Sequence, residues 1–550
     1  MPLFRHALSK RDTILIILGA TFMHFCAKFL VLSDPPSSDS IILSTHIPGL
    51  SNEIVIDAPL RPPKQKSPVT ITKTVVVEPT AASHLFPMDT SQTLPQTVLI
   101  HHAPGYTLFR NLYMSDGTLF VVTDDRDAFP EIRMMTSTGL PAENTPENIA
   151  QREPTARDMQ FISPEEATIR WGGSQKSVIP VTGNTLLVND PRQFLRHYYH
   201  FVAELIFGVQ AFWHGAFTKP MVNKPLSAYQ IKPPSPPPIE RIIFAHSDAD
   251  GWRDDPGFNA YFLRAAYPSV TVECQEDWED RVKASNNGRD RQTRVWHFRD
   301  FVLLVDRSAA FRGPICGSQT QRTASEAWEY MKSQNLLAGD RVAGWWEPVR
   351  AGILKFAGAQ NGVASEMKVY QDFQRRLDAM HTMDSRPVQL PLPEKVVVSY
   401  VSRQAGGRRK LTEESHQSLV EALQEMSQRR GFDLIVMEAE KLSKDEQLQI
   451  IAKTTILLGV HGNGLTHLVF MPPTRASTVI EIFYPGGFAH DYHWTTRALG
   501  MSHFAVWNDT AYTYPNEPGV DYPEGFQENY IPVHGPTVAK IIEDRVDGLV

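Results

Sequence analysis

The sequence predicts an α/β protein with two mixed domains, and three observations support this prediction. First, strand-like runs alternate with helix-like segments through the carboxyl-terminal half, as in a parallel sheet with crossover helices. Second, the apolar run Ile456–Val460 stops at His461-Gly462-Asn463-Gly464, where a helix-like segment begins. Third, 550 residues are too many for one hydrophobic core, so two domains with additional segments are expected.

The overall composition is that of an ordinary globular protein and limits the possible partners. Hydrophobic residues make up 42% of the chain, and the formal net charge is −7. An acidic balance of this kind argues against a nucleic-acid partner, which requires a basic surface. Three cysteines are too few for a disulfide scaffold and lack zinc-site spacing. Cys274 and Cys316 either pair in an oxidising lumen or remain buried thiols.

The amino-terminal end has the pattern of a membrane anchor. Basic residues within Arg5–Arg11 precede Thr13–Leu32, an apolar run about as long as a bilayer-spanning helix requires. We therefore expect residues 1–12 to form a cytosolic tail and residues 13–32 a single transmembrane signal anchor, with the remaining chain in the lumen. A cleaved secretory signal and a buried soluble helix are the alternatives. The prediction is a single-pass type II protein of the Golgi or endoplasmic reticulum membrane.

A stem and a first domain are predicted to follow the anchor. Residues 33–95 are rich in Pro, Ser and Thr and show no sustained apolar period, which is typical of an extended stem. Residues 96–386 are expected to form the first α/β domain. Its signals are helical spacing over Arg196–Trp213, strand-like runs at Arg241–Ala245 and Trp296–Val305, and a proline-rich surface loop at Lys232–Glu240.

The second domain, residues 387–550, has clearer signals. Lys395–Arg403 is a β-branched run, and the helix predicted over Thr412–Phe432 begins at a capping threonine and ends at Gly431. Ligands of an open parallel sheet bind beyond the carboxyl ends of its strands, which here means beside Arg403 and His461. The other predicted elements are strands at Asp433–Met437, Thr455–Val460 and Thr478–Phe483, and helices at Leu442–Ala452, Gly464–Phe470 and Pro536–Val546.

The glycine-rich turn after the strand Thr455–Val460 has the chemistry of a diphosphate site. Glycines allow a phosphate to approach the backbone closely. The amino terminus of the following helix then supplies aligned N–H groups and a partial positive charge. A plain strand-to-helix turn, in which His461 caps a neighbouring group, is the alternative.

Three segments carry motifs of a known family. They are GVHGNGLTHLVFMPP followed by STVIEIFYP, SYVSRQAGGRRKL at Ser399–Leu411, and HYYHFVAEL at His197–Leu205. Together these segments resemble glycosyltransferase family 61, although Asn463 and His197 stand where alanine and asparagine are frequent in that family. The resemblance implies a GT-B-like pair of Rossmann-like domains, the first for the acceptor and the second for the nucleotide sugar.

The resemblance also implies a reaction. A sugar, expected to be xylose or N-acetylglucosamine, would move from a UDP-sugar donor to a hydroxyl group of a protein or glycan, with inversion at the anomeric carbon. Arg403 is the expected counter-charge of the diphosphate, because a guanidinium binds it through two bonds, so no obligatory metal is expected. An ion pair at the edge of the domain is the alternative role of Arg403. The residues predicted to hold the donor are Ser402, Arg403, His461, Gly462, Asn463, Gly464, Leu465 and Thr466.

The catalytic base is expected in the opposite domain. His200 and Glu204 are four residues apart on a predicted helix and therefore share one face. An imidazole hydrogen-bonded to a carboxylate is a base with its orienting group, and either residue could be the base. A buried pair with a purely structural role is the alternative. His461 is expected to contact sugar or phosphate, whereas Glu481 is either structural or a ribose ligand. Arg408 and Arg409 are expected in a solvated turn, with contact to the substrate as the alternative.

Two other functions are compatible with the sequence. Asp248-Ala249-Asp250 follows an apolar strand, as does the metal-binding Asp-x-Asp motif of GT-A glycosyltransferases. A second match at Asp125-Arg126-Asp127 shows how common the pattern is. The other possibility is a lumenal glycan-binding homologue that retains the fold without transferring sugar.

Overall fold

The computed structural model describes residues 93–172, 177–218, 236–286, 294–315, 317–334, 336–337, 344–359, 390, 392–406, 408–528 and 530–548. Residues 85–550 form one compact unit. The predicted tail, the anchor at residues 13–32 and nearly all of the stem lie outside the described residues, as do Cys316, the boundary at residue 386 and the first part of the loop 232–240. In the described part, no helix is long and apolar enough to cross a bilayer.

The first sheet has nine strands and is mixed. Its path is β4-β3-β2-β9-β6-β7-β8, with β1 also paired to β2 and β5 to β9. Strands β9, β6, β7 and β8 run parallel, whereas β2 is antiparallel to β1, β3 and β9. The Rossmann-like character of this half is therefore confined to one side of the sheet. The strands are β1 Val98–Ala103, β2 Tyr106–Ser115, β3 Thr118–Val122, β4 Met159–Ile162, β5 Val178–Val181, β6 Thr185–Pro191, β7 Arg241–His246, β8 Thr271–Glu273 and β9 Val295–Val305.

The helices of this half include one irregular segment. The helix predicted over Arg196–Trp213 exists, but it opens with a π-helix, His200–Ile206, before continuing as α4. π-helical turns frequently mark functional sites, because they alter the facing of side chains. The α-helices are α1 Ile132–Met135, α2 Pro146–Gln151, α3 Pro164–Trp171, α4 Phe207–Ala216, α5 Phe258–Ala266, α6 Gln275–Ala284, α7 Gly317–Ser333 and α8 Glu347–Phe356, with short 3₁₀ turns at Arg126–Ala128 and Arg192–Phe194.

The second sheet has six strands in the order β11-β10-β12-β13-β14-β15. All neighbours are parallel except β14 and β15. The chain passes from β10 to β11 on one side and then returns to β12 on the other. The carboxyl ends of β10 and β12 therefore flank the point where strand order reverses, which is where open α/β sheets bind ligands. The strands are β10 Val397–Ser402, β11 Asp433–Glu438, β12 Ile456–Val460, β13 Thr478–Ile482, β14 Ser502–Trp507 and β15 Thr510–Thr513.

The helices of the second half confirm the sequence prediction closely. Thr412 caps α9 by accepting a hydrogen bond from the Ser415 N–H group, and Gly431 ends the helix in a left-handed conformation at φ 70°. The segment after the glycine-rich turn is a 3₁₀ helix, Asn463–Phe470. The remaining elements are α9 Glu413–Arg430, a 3₁₀ turn at Ala439–Lys441, α10 Lys444–Ile451, α11 Asp491–Ala498 and α12 Gly535–Val546.

One hydrophobic core connects the two sheets. It contains Phe262 and Trp346 from the first half together with Leu457, Leu465 and Phe470 from the second. The indole N–H of Trp346 also donates a 2.7 Å hydrogen bond to the carbonyl of Val469. The two halves therefore share buried surface, and the ends of β10 and β12 lie against helices of the first half.

Candidate active site

Two arginine side chains converge on the glycine-rich turn at the end of β12. Gly462 adopts φ 145° and ψ −179°, a combination that essentially only glycine adopts. A Cβ atom at Gly462 would lie 2.8 Å from Nη1 of Arg403 and 3.2 Å from Nη2 of Arg409. Glycine is therefore required at position 462 for two reasons: the backbone conformation of the turn, and the close approach of two guanidinium groups.

Neither guanidinium group forms an ion pair with a carboxylate in the described part of the chain. Arg403 donates to the carbonyl of Arg408 over 3.2 and 3.3 Å, and the Nε atom of Arg409 is buried without a hydrogen-bond partner there. Burial and the charge of Arg409 lower the pKa of Arg403. Arg409 also adopts a left-handed φ of 57°. Two adjacent cations without an ion-paired carboxylate are costly, so the site favours binding of an anion.

His461 is fixed by a buried histidine–glutamate–histidine group. Its Nδ1 atom lies 2.5 Å from Oε1 of Glu481, whose Oε2 lies 2.8 Å from Nε2 of His503. Burial lowers the pKa of His461 to about 3, with added repulsion from Arg409 and Arg403, and burial raises the pKa of Glu481. His461 is therefore a neutral imidazole of fixed orientation, which shapes the turn without adding positive charge.

The opposite wall is formed by the π-helix. Glu204 is fully buried, and its Oε2 accepts a 2.7 Å hydrogen bond from Nη1 of Arg307. Its Oε1 lies 2.9 Å from Nδ1 of His200, in ion-pair contact rather than in a well-aligned hydrogen bond. Burial lowers the pKa of His200, but the Glu204 charge outweighs burial and the net shift is upward. Glu204 thus orients His200, as its spacing predicted.

Arg307 stabilises the π-helix through several hydrogen bonds. Its Nε atom donates to Oδ2 of Asp190 over 2.7 Å, and its remaining N–H groups reach the carbonyls of His200 and Phe194. Both Asp190 and Glu204 are without exposed surface. The cation therefore holds the start of the π-helix against β6 and β9.

Some residues predicted to bind the donor also connect the turn to the first half. The Oδ1 atom of Asn463 accepts hydrogen bonds from the Tyr199 N–H group, at 3.1 Å, and from the Thr466 hydroxyl, at 3.3 Å. Thr466 is fully buried, and Leu465 lies in the shared core. The Asn463 contacts attach the turn to the helix that contains the π-helical segment.

The remaining predicted donor residues support the backbone. A Cβ atom at Gly464 would lie 2.8 Å from Cγ1 of Val401, so this glycine allows the turn to pack on β10. Ser402 is buried, and its hydroxyl lies 3.5 Å from the N–H group of Gln404. Arg403 and the His461-Gly462 turn are thus the predicted donor residues that the fold brings together at one surface.

Two charged residues of this region differ from the main sequence prediction. The solvated turn predicted for Arg408 and Arg409 holds for the exposed Arg408, whereas the guanidinium of Arg409 lies against Gly462. Asp491, at the start of α11, is not among the predicted site residues, although its Oδ1 atom is buried without a hydrogen-bond partner in the described residues. Its signal in the sequence is weak, because no motif surrounds it.

The acidic pairs considered as metal sites are parts of surface turns. Oδ1 of Asp248 accepts hydrogen bonds from the N–H groups of Asp250 and Gly251, and Oδ2 lies 3.4 Å from Arg192. Asp125 caps the 3₁₀ turn that follows it. Among the described residues, no group of three or more His, Cys, Asp or Glu side chains is arranged to hold a metal ion.

The chain is similar to a known protein family. Residues 90–480 match the family model described as Glycosyltransferase 61. Over 135 residues the chain is 30% identical to an EGF domain-specific O-linked N-acetylglucosamine transferase of Drosophila melanogaster. That alignment spans 24% of this chain and 24% of the relative. The family match covers well over half of the chain, and it includes the π-helix, the two arginines and the glycine-rich turn, so this protein belongs to glycosyltransferase family 61.

Proposed function

We propose that this glycosyltransferase moves xylose or N-acetylglucosamine from a UDP-sugar to a hydroxyl group of a protein or glycan, with inversion. Family membership supports sugar transfer, and the relative's name includes N-acetylglucosamine transfer to EGF domains. The observation that carries the proposal is the pair Arg403 and Arg409, set against Gly462 without a carboxylate partner in the described residues.

A UDP-sugar suits this pair because its diphosphate carries two negative charges beside the bond that breaks. Two guanidinium groups neutralise that charge and donate paired hydrogen bonds to phosphate oxygens. Their interaction strengthens as the sugar departs and charge accumulates on the UDP leaving group, which is the requirement for catalysis. The backbone N–H groups after Gly462 add donors at the start of the 3₁₀ helix.

Inversion requires the acceptor to attack from the side opposite the diphosphate. In the expected GT-B-like arrangement the second sheet binds the nucleotide sugar and the first half binds the acceptor. The helix that carries His200, which Glu204 orients, belongs to the first half and contacts the turn through the hydrogen bond from Tyr199 to Asn463. A glycan or glycoprotein hydroxyl would approach along this wall and lose its proton to a titratable group beside it.

The proposal does not require an obligatory metal, because arginine supplies the counter-charge. It also places the catalytic part in the Golgi or endoplasmic reticulum lumen, behind the type II anchor expected from residues 13–32. A metal-dependent GT-A-type reaction through Asp248 and Asp250, and a glycan-binding homologue without transfer, are the competing functions. Each predicts a different result in one experiment.

The test is a screen of UDP release from a panel of UDP-sugars by the full chain in detergent, paired with calorimetric UDP titration. UDP binding with release from UDP-xylose or UDP-N-acetylglucosamine, both unaffected by EDTA, is the expected result. The matched control is the double variant Arg403→Ala with Arg409→Ala, which should lose both signals while melting near the parent. UDP binding without release would support the non-catalytic homologue, and release that needs Mn²⁺ would support the metal-dependent reaction.

A further inference from the structure

Asp491 lies between the glycine-rich turn and the π-helix. It begins α11, beyond the residues 90–480 that the family model matches. The ring of the next residue, Tyr492, lies 5.7 Å from the ring of His461 and 4.7 Å from that of Tyr199. The amino terminus of α11 therefore reaches both walls of the site.

The Asp491 carboxyl group is partly buried, and one of its oxygen atoms accepts no hydrogen bond from the described residues. The side chain retains some exposed surface, yet its Oδ1 atom is buried and has no hydrogen-bond partner in the described part of the chain. An unpaired carboxyl oxygen in such a place is costly unless a ligand completes it. Asp491 is thus available to a hydroxyl group that enters the site.

The charges around Asp491 come from three other elements. His200 and Glu204 face it from the π-helix, Arg409 from the loop after β10, and Glu481 from β13. Burial, followed by the charge of Glu204, raises the pKa of Asp491 to about 7, against the opposing effects of His200 and Arg409. A carboxyl group of this kind exchanges a proton near neutral pH, as a general base must.

We infer that Asp491 is the general base of the transfer reaction, an inference that depends on the proposed function. The carboxylate of Asp491 takes the proton of the acceptor hydroxyl as its oxygen bonds to the anomeric carbon. The bond between that carbon and the phosphate oxygen breaks, and its electron pair leaves with UDP. Arg403 and Arg409 hold the departing diphosphate.

The residues predicted as bases are less suited to this step. Both carboxylate oxygens of Glu204 are already in contact, one with Arg307 and one with His200, and the side chain is without exposed surface. His200 has a raised pKa, so it retains its proton more readily than an ordinary histidine. A protonated His200 favours the ionised form of Asp491 and so positions the charge of the base.

The test replaces Asp491 with asparagine in the full chain and measures UDP release from the donor that the parent protein uses. The value of kcat should fall by about 100-fold or more, while UDP affinity stays within about twofold of the parent. Because the base acts in its ionised form, kcat/KM of the parent should rise with pH through about 7. That rise should be absent in Asp491→Asn.

Azide supplies a readout that a structural role would not change. It is an anionic nucleophile that needs no deprotonation, so it should form a glycosyl azide and restore turnover in Asp491→Asn. Asp491→Glu, which retains a carboxyl group, should recover part of the activity and the rise with pH. His200→Gln is the matched control and should retain a rise with pH, shifted because a neighbouring positive charge is lost.

Several outcomes would overturn the inference. Activity of Asp491→Asn within about threefold of the parent would exclude a base at this position. Loss of UDP binding together with turnover would make Asp491 a donor or structural residue. If Asp491→Asn does not fold, failure of a folded Asp491→Glu to keep the rise with pH would also count against it. A parent protein that neither binds UDP nor releases it from any donor would instead refute the proposed function itself.

Discussion

Arg307 and the Arg403–Arg409 pair are two sites of shielded positive charge with opposite surroundings. Arg307 has no exposed surface and contacts the carboxylates of Asp190 and Glu204 and two backbone carbonyls. Arg403 contacts only the carbonyl of Arg408 among the hydrogen bonds in the described part, and Arg409 lies beside it. Arg307 therefore has its counter-charges within the protein, whereas Arg403 and Arg409 have no ion-paired carboxylate in the described part.

The difference teaches which cluster is structural and which is available to a ligand. A buried charge is tolerated when its partners are present, and removing one partner leaves the other uncompensated. Two partially buried cations without carboxylates raise the free energy of the folded protein, unless an anion binds. We therefore expect substitutions at Arg307 to change folding and substitutions at Arg403 or Arg409 to change donor binding.

The largest expected effect is on stability, at Arg307. Arg307→Ala should lower the free energy of unfolding by about 3–5 kcal/mol, because Asp190 and Glu204 would remain buried without a counter-charge. Urea denaturation followed by tryptophan fluorescence measures this change. Arg307→Lys keeps the charge but loses the geometry of several simultaneous bonds, so it should recover only part of the loss. If Arg307→Ala kept its stability but bound UDP more weakly, Arg307 would be a ligand-binding residue rather than a structural one.

The sequence predicted the second sheet well because its signals are local. The capping Thr412, the terminal Gly431 and the alternation of strands and helices each act over a few residues, so β10 to β13 and α9 were predicted correctly. Arg403 beside His461 also followed, because parallel strands place their carboxyl ends at one edge.

Long-range partners could not be predicted in this way. The contacts of Arg307 with Asp190 and Glu204 join residues more than a hundred positions apart, and no local pattern marks them. Arg408 and Arg409 look equivalent in the sequence, yet Arg409, whose backbone is left-handed, lies against Gly462 whereas Arg408 is exposed. Asp491 acquires its character from groups on three other elements.

The next largest effect is expected on UDP affinity, from substitutions of Arg403 and Arg409. Arg403→Ala should weaken UDP binding by roughly tenfold to a hundredfold, the value of one charge-assisted hydrogen bond of ~1.5–3 kcal/mol. Arg409→Ala should behave similarly, and neither variant should be less stable, because each substitution removes repulsion between like charges. Calorimetric titration with UDP measures the affinity. Arg403→Lys should recover part of it, since lysine retains charge without the paired donors.

A smaller effect is expected from Gly462→Ala. The added Cβ atom would lie 2.8 Å from Nη1 of Arg403 and would require a backbone conformation that alanine rarely adopts. Displacing one guanidinium should weaken UDP binding by about tenfold. Gly431→Ala is the matched control, because Gly431 also has a positive φ but its Cβ position meets no atom within 4 Å. That control should lose stability and keep UDP affinity; equal UDP binding by both variants would contradict the proposed role of the turn.

The smallest effect is expected from the acidic pair that could have held a metal. Asp248 accepts hydrogen bonds from the backbone of its own turn and is near Arg192, with two-fifths of its side chain exposed. The double variant Asp248→Asn with Asp250→Asn should therefore change stability by no more than about 0.5 kcal/mol, as is usual for surface positions.

UDP release by the parent should likewise be unaffected by EDTA, because Arg403 and Arg409 supply the charge that a metal ion would otherwise provide. The same release assay, run with and without EDTA and with added Mn²⁺, checks both statements. Complete loss of activity on chelation, restored by Mn²⁺ in the parent but not in the double variant, would mean that the arginine pair is not the counter-charge of the leaving group.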